Sequence, residues 1–552
     1  MFTLRTDSIT LAAKLTTTRC RGGSDPCLFV KHPLRPNFLL LIVLCFLLLP
    51  ACGSKQTDNT YTIAFTVRDV PSVFTSLAHG GPHMVITTFL FDSLVWKDEN
   101  GFVPLLAEKW QASDDKKTYT FNLRPNVRWH DGQPFTADDV KFTFEYLRDN
   151  PLPISAAEAN NAIESVEAGD SQTVVFHLKD SAPDFVNNIA GQTQIIPKHI
   201  WQNVTEPLKF QEPGAFVGTG PFKFKETRRG EFHIFEANTD YFLGRPGIDR
   251  LIFKNANNPL LALESGDVDA ASPSSPTALS SFQGRGEYEI LKGPYSYYLT
   301  KLVFNVKRPP FDSKDLRQAV AYALNRSEIV KQVLNGEGIV SSSGLLHPDS
   351  VWFAKDLPKY EQDLKKAEEL FKKAGFAQKD ADDTRQNAAG QKLAFTLFTR
   401  SDSQEMVREA ELIRDQLAQV GIKLDIKPLT TGPQENILTK GDFDIALDSH
   451  GGSISLSIPA TNPDFPARGY QNGELTRLYN EFLTSLDENK RRVAAYKIQH
   501  IIAEDLPSLP VYNPSSAVVF RKNKGVKWFW TKDGLSGGAP IWWNKLALLK
   551  RQ

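Results

Sequence analysis

The apolar patterning predicts an α/β fold with several cores. Strand-type alternation and helix-type periodicity follow each other along the chain without one repeating unit, which argues against a solenoid. The chain has 552 residues, more than one ordinary core organises, so two or more lobes are expected. Its 41% hydrophobic and 23% charged residues are proportions of a folded globular protein rather than a disordered one.

The elements read as follows. Tyr61, Ile63, Phe65 and Val67 alternate with Thr62, Ala64 and Thr66, which predicts a strand. His79-Gly80-Gly81-Pro82-His83 reads as a loop, with a helix after it to about Leu94. Tyr119, Phe121 and Leu123 alternate in a strand that Arg124-Pro125-Asn126 ends. Thr136 reads as an N-cap, Asp138 and Asp139 suit the positive end of a helix, and Val140, Phe144 and Leu147 form its apolar stripe. Val174, Phe176 and Leu178 make a further strand. Ser313 is expected to cap a helix carrying Leu316, Val320 and Leu324; Ser327 is expected to cap the next, which Gly336 closes. Leu364, Ala367, Leu370 and Phe371 predict a helix stopped at Gly375; Val407, Ala410, Ile413 and Leu417 predict another, stopped at Gly421. Ile422, Leu424 and Ile426 then alternate as a strand.

Lys+Arg and Asp+Glu both number 64, so charge gives no reason to expect nucleic acid as partner. The 36 phenylalanines suit an aromatic-lined cleft or, more simply, a Phe-rich core. The cysteines are Cys20, Cys27, Cys45 and Cys52, so nothing beyond Cys52 can form a disulfide or a thiolate metal site. Phe38 to Leu49 is about a dozen apolar residues, too few to span a bilayer comfortably. Lys31, His32 and Arg35 precede it and Leu49-Pro50-Ala51-Cys52 follows. Residues 30–51 therefore read as a secretory signal peptide, an uncleaved signal anchor being the alternative. The Cys52 environment resembles a bacterial lipobox, which implies lipidation of Cys52, a tether over 52–60, and a place on the cell envelope facing periplasm or exterior. Residues 1–29 fit no part of this and read as a non-native or mis-called extension; translation is expected to begin near Val30.

Several blocks carry a family resemblance. They are Phe102-Val103-Pro104-Leu105-Leu106-Ala107-Glu108-Lys109-Trp110; the run DDKKTYTFNLRPNVRWHDGQPFTADDV from Asp114 to Val140; Gly218-Thr219-Gly220-Pro221-Phe222; Asn238 with Asp240-Tyr241-Phe242; Leu263 to Asp269; and Phe304-Asn305, Pro310-Phe311 and Leu316-Arg317-Gln318-Ala319-Val320. In this order they resemble the family 5 extracellular solute-binding proteins, the group of dipeptide-, oligopeptide- and nickel-binding receptors. The resemblance implies a periplasmic-binding-protein-like α/β fold (class II, cluster C), two lobes closing on ligand plus an extra lobe. It assigns 61–85, 191–290 and 513–552 to lobe I, 86–190 to the extra lobe and 291–512 to lobe III. The implied partners are an ABC permease and ATPase and a small-molecule or peptide ligand, with no cofactor, no nucleic acid and a monomeric receptor. No H-E-x-x-H, G-x-x-x-x-G-K-[ST] or C-x-x-C motif points to catalysis, so an enzyme is not expected.

The motif blocks themselves read mainly as caps, turns and core stripes. Ligand contacts are expected on loops at strand ends: Arg68, suited to a carboxylate; His79 and His83; Asn305; and Ser449, His450, Gly451 and Gly452. In peptide-binding members the last segment carries an Asp that neutralises the peptide's ammonium. Here it reads Asp448-Ser449-His450-Gly451-Gly452-Ser453, with no Asp at that place. A simple free-amino peptide is therefore not expected to be the best ligand. The alternatives are a metal chelate drawing on His79, His83 and His450, and a sensor or chaperone using the same fold.

Overall fold

The computed structural model describes residues 59–67, 70–75, 82–151, 162–272, 276–293, 298–451, 470–531 and 543–549. The expected signal peptide and Cys52 lie outside the described residues. Three larger sheets organise what is described, each with its own core, and the α/β class expected from patterning holds.

The first body is built on a seven-stranded sheet in the order Tyr288–Lys292, Ala517–Arg521, Ala270–Ala271, Thr60–Ala64, Arg250–Lys254, Phe232–Ala237, Phe222–Arg228. Thr60–Ala64 sits inside it, parallel to both neighbours, with Tyr61 and Ile63 fully buried. Phe89, Phe222, Phe235 and Phe253 meet edge to face in its core, so these phenylalanines fill a core rather than line a cleft. Each contributes about 1.5–3 kcal/mol by burial.

The second body is an antiparallel sheet in the order Ala107–Ala112, Thr118–Leu123, Thr173–Leu178, Ile163–Ala168. Tyr119, Phe121 and Leu123, and Val174, Phe176 and Leu178, point to its core as their alternation predicts. The helix Ala137–Asp149 covers it. Val140 and Phe144 enter this core, whereas Tyr146 and Leu147 on the same helix enter the first. One helix thus belongs to two cores, which fixes the second body on the first.

The third body carries a mixed sheet in the order Lys423–Leu429, Ala394–Arg400, Ile445–Gly451, Tyr298–Phe304, Ser508–Pro510. Helices Lys314–Ala323, Arg326–Leu334, Leu364–Lys373 and Gln404–Gln419 pack on one face, and Thr431–Lys440 on the other. Its link to the first body is slender. The chain leaves the first body after Gly293 and returns at 515–516, and Gly293 N donates to Ser516 O at 3.0 Å between the two passages. The strand Tyr288–Lys292 belongs to the first sheet, and Tyr512–Pro514 pairs with Gly338–Val340 in the third body.

Four local expectations are corrected. The helix after Pro82 stops at Thr87, not near Leu94. The carbonyls of Phe89 and Leu90 are taken by Phe222 N (3.1 Å) and Gly220 N (2.8 Å), so they cannot continue a helix. His83 falls in that helix rather than in a loop, because Pro82 takes the first helical position, where a missing N–H costs nothing. The strand predicted to reach Val67 ends at Ala64. Asn325, not Ser327, caps Arg326–Leu334: its side chain accepts from Glu328 N at 2.9 Å, and Asn335 in the left-handed region ends the helix before Gly336.

Candidate functional site

The conspicuous motifs turn out to be joints. Gly218 and Gly220 press on the Leu90 carbonyl so closely that a Cβ on Gly218 would stand 1.9 Å from its oxygen. His130 clamps this turn, Nδ1 accepting from Gly218 N (3.2 Å) and Nε2 donating to Gly220 O (3.0 Å). Burial lowers its pKa to about 4, so the ring is neutral with a fixed tautomer. Thr219 Oγ1 and the Tyr241 hydroxyl both donate to the buried Asp92, at 3.0 and 3.2 Å, and Lys545 pairs with the same carboxylate. Asp139 accepts from Thr136 N (2.9 Å) and Lys198 N (3.0 Å). Arg317 donates to the carbonyls of Phe311 (2.8 Å), Asp312 and Leu506 (both 3.1 Å). None of these groups is left over to meet a solute.

The place for a solute is the edge of the third body's sheet. Ala394–Arg400 and Ile445–Gly451 run parallel, the second reaching three residues past the end of the first, and ligands of open α/β sheets gather at the carboxyl ends of such strands. Ile445–Gly451 is paired with Tyr298–Phe304 along its whole length, Gly451 facing Tyr298, His450 facing Leu299 and Ser449 facing Thr300. On its other side it pairs with Ala394–Arg400 only through Ala446. Beyond Ala446 no strand pairing is made on that side among the described residues, although Leu447 O already accepts from Gln434 Nε2 at 2.8 Å.

Charge is concentrated there. Lys301 stands directly opposite Asp448, and Arg400 ends the next strand over. Lys301 is buried, which lowers its pKa to about 7 against the pull of Asp448. Burial also raises the Asp448 carboxyl, with Lys301 and Arg400 drawing it back. Asp402 holds Arg400 bidentately at 2.9 and 2.8 Å and takes the Thr431 hydroxyl at 2.8 Å, which keeps Asp402 down at about 2. Beneath the edge, Thr300 Oγ1 donates to the fully buried Glu409 at 2.8 Å.

Of the candidates from sequence, Ser449, His450 and Gly451 share this edge. The side chain of His450 and the whole of Gly452, Arg68 and His79 lie outside the described residues, as does the His83 side chain. The structure does not bring Asn305 here. It sits at the opposite end of the strand pair, buried, its amide donating to the carbonyls of Gly441 (3.0 Å) and Phe443 (2.9 Å). Among the described residues no group of three His, Cys, Asp or Glu could hold a metal ion. A cavity of about 560 Å³ opens elsewhere in the third body beside Arg326, but that guanidinium already donates to the carbonyls of Ser341, Pro510 and Lys359. We therefore do not place the solute there. Lys301, Arg400 and Glu409 were missed by sequence reasoning, and Asp448 was considered only as a carboxylate that could reach the ligand; a Lys inside an otherwise apolar strand run was the available signal.

Residues 101–471 match the family described as bacterial extracellular solute-binding proteins, family 5 Middle. The oligopeptide-binding protein AppA of Bacillus subtilis is 29% identical over 532 residues, 90% of this chain and 96% of its own. Its structure in complex with a nonapeptide superimposes with a TM-score of 0.73 over 85% of this chain and 96% of that one, at 26% identity. NikZ of Campylobacter jejuni in complex with Ni(L-His) gives 0.75 over 84% and 94%, at 25% identity. A putative ABC transporter peptide-binding protein of Brucella ovis is 28% identical over 376 residues, 66% of this chain and 68% of its own. The fold is thus the periplasmic-binding-protein-like one, and the chain belongs to the family 5 bacterial extracellular solute-binding proteins.

Proposed function

We propose that this chain is the solute-capturing receptor of an ABC importer and that its solute is a peptide or peptide-like chain laid along Ile445–Gly451. The observation that carries this is the strand's half-used backbone: paired throughout with Tyr298–Phe304, it has no strand neighbour on the other side past Ala446 among the described residues. An extended ligand completes such an edge by main-chain hydrogen bonds, and glycine lets it approach closely. The names of AppA and the Brucella ovis relative favour peptide as the solute class. The first and second bodies, which share a helix, act as lobe I and the extra lobe; the third is the lobe that closes about the passages after Gly293 and at 515–516. The work is binding without chemistry, and delivery is to a permease and its ATPase.

The charge row refines the ligand. Asp448 faces Lys301 and is not free to receive an ammonium. Calorimetric titration of the mature protein with oligopeptides is expected to show binding that amino-terminal acetylation weakens less than about tenfold, under 1.4 kcal/mol. Loss of binding on acetylation would return the ammonium clamp to this site, and failure of every peptide to bind would end the peptide reading.

The receptor is further proposed to be anchored through Cys52 after removal of residues 30–51. Cys52→Ser is expected to move the protein from the membrane to the soluble fraction. A wild type that is already soluble, or a variant that stays with membranes, contradicts the anchor.

A further inference from the structure

Away from these passages, an ion pair joins the third body to the second. Arg491, on the helix Glu488–Asp505, pairs with Asp184, which lies just before the one-turn helix Val186–Ala190 of the second body. Among the described residues it is the only ion pair joining these two bodies. The two ends differ. Arg491 is 8% exposed and held by its own body: its guanidinium lies 4.9 Å from the Trp352 ring and 4.8 Å from the Phe482 ring, and Nε donates to Phe482 O at 2.9 Å. Asp184 is about one-third exposed.

We propose that Asp184 and Arg491 form a latch that stabilises the closed arrangement of the receptor whether or not solute is present. The inference rests on the reading of the chain as a hinge-closing receptor. Stacking fixes the guanidinium before Asp184 arrives, so the pair forms with little ordering cost on the arginine side. A nearly buried cation whose own body gives it rings and one carbonyl, but no carboxylate, is better satisfied when the bodies meet than when they part. The latch therefore biases the equilibrium toward closure, and solute adds to that bias.

The test uses the mature chain with Cys52→Ser, which then has no cysteine. Nitroxide labels go on Ser171→Cys in the second body and Lys497→Cys in the third, both exposed positions. Electron–electron distance measurements without added solute are expected to show the closed-to-open ratio falling about fivefold in Asp184→Asn, the size expected of a partly exposed pair. High salt should move wild type the same way and leave the variant unchanged. An unchanged distribution in Asp184→Asn overturns the proposal. So does a fall in thermal midpoint beyond about 2 °C, which would assign Asp184 to the stability of its own body. A random hexapeptide pool, added to both proteins, separates the two readings. If the pool closes the protein but the substitution changes nothing, the latch fails alone. If the substitution opens the protein but the pool does nothing, the latch stands and the peptide reading fails.

Discussion

Lys545→Met is expected to lower the stability of the first two bodies by about 3–5 kcal/mol, the largest single loss available in this chain. Lys545 and Asp92 are both completely buried and paired. The lysine also donates to Phe91 O at 3.3 Å and lies 4.3 Å from the Trp96 ring, while burial lowers its pKa against the pull of Asp92. Methionine fills much of the same space but leaves the carboxylate facing only the hydroxyls of Thr219 and Tyr241. Two neutral donors do not compensate a charge removed from water. The double substitution Asp92→Asn with Lys545→Met removes both charges and should recover more than half of the loss, because the pair costs more to break than to replace. Denaturant unfolding of the four proteins of this cycle measures both terms. A loss under about 1 kcal/mol in Lys545→Met would mean that water reaches Asp92.

This joint also shows what was legible in the sequence. The helix Ala137–Asp149 was readable because everything that makes it is local: the Thr136 cap, the acidic first turn and the apolar stripe lie within a dozen residues. The Gly218-Thr219-Gly220 turn was readable as a motif, but not what it grips. Leu90 and Asp92 are far away in the chain, and Lys545 reaches Asp92 across 453 positions. The helix expected to run to Leu94 failed for the same reason: the distant N–H groups of Phe222 and Gly220, not local propensity, claim the carbonyls of Phe89 and Leu90.

The candidate site divides in the same way. Ser449, His450 and Gly451 stood out as a departure from the family's pattern, and they do share the strand that forms the edge. Asn305 carried an equally good motif but is spent on the turn at Gly441 and Phe443. The groups that set the electrostatics there, Lys301, Asp448 and Arg400, come from three strands whose register only the folded sheet supplies. Asp448 read alone offers a carboxylate to an ammonium; in the folded sheet it stands opposite Lys301.

Glu409→Gln is expected to change the pH dependence of stability more than any other single substitution. Glu409 lies fully buried on the helix Gln404–Gln419, where burial pushes its pKa up to about 8. The hydroxyls of Thr300 and Tyr512 pull it down only in part. An unfolded glutamate titrates near 4.3, so between roughly pH 4.3 and pH 8 the folded protein holds a proton that the unfolded chain has released. The stability owed to this group is therefore fully present below about pH 4.3 and is lost as pH rises through about 8. Within that window the loss is about 1.4 kcal/mol per pH unit. Glutamine keeps an acceptor for Thr300 and cannot ionise. The variant should lie near wild type at pH 5 and exceed it at pH 8, the gap growing by several kcal/mol, on the order of 3. Denaturant midpoints of both proteins at the two pH values decide it. A gap that stays constant from pH 5 to pH 8 would mean that Glu409 is already ionised in the fold and that a cation or water reaches it beneath the strand Tyr298–Phe304.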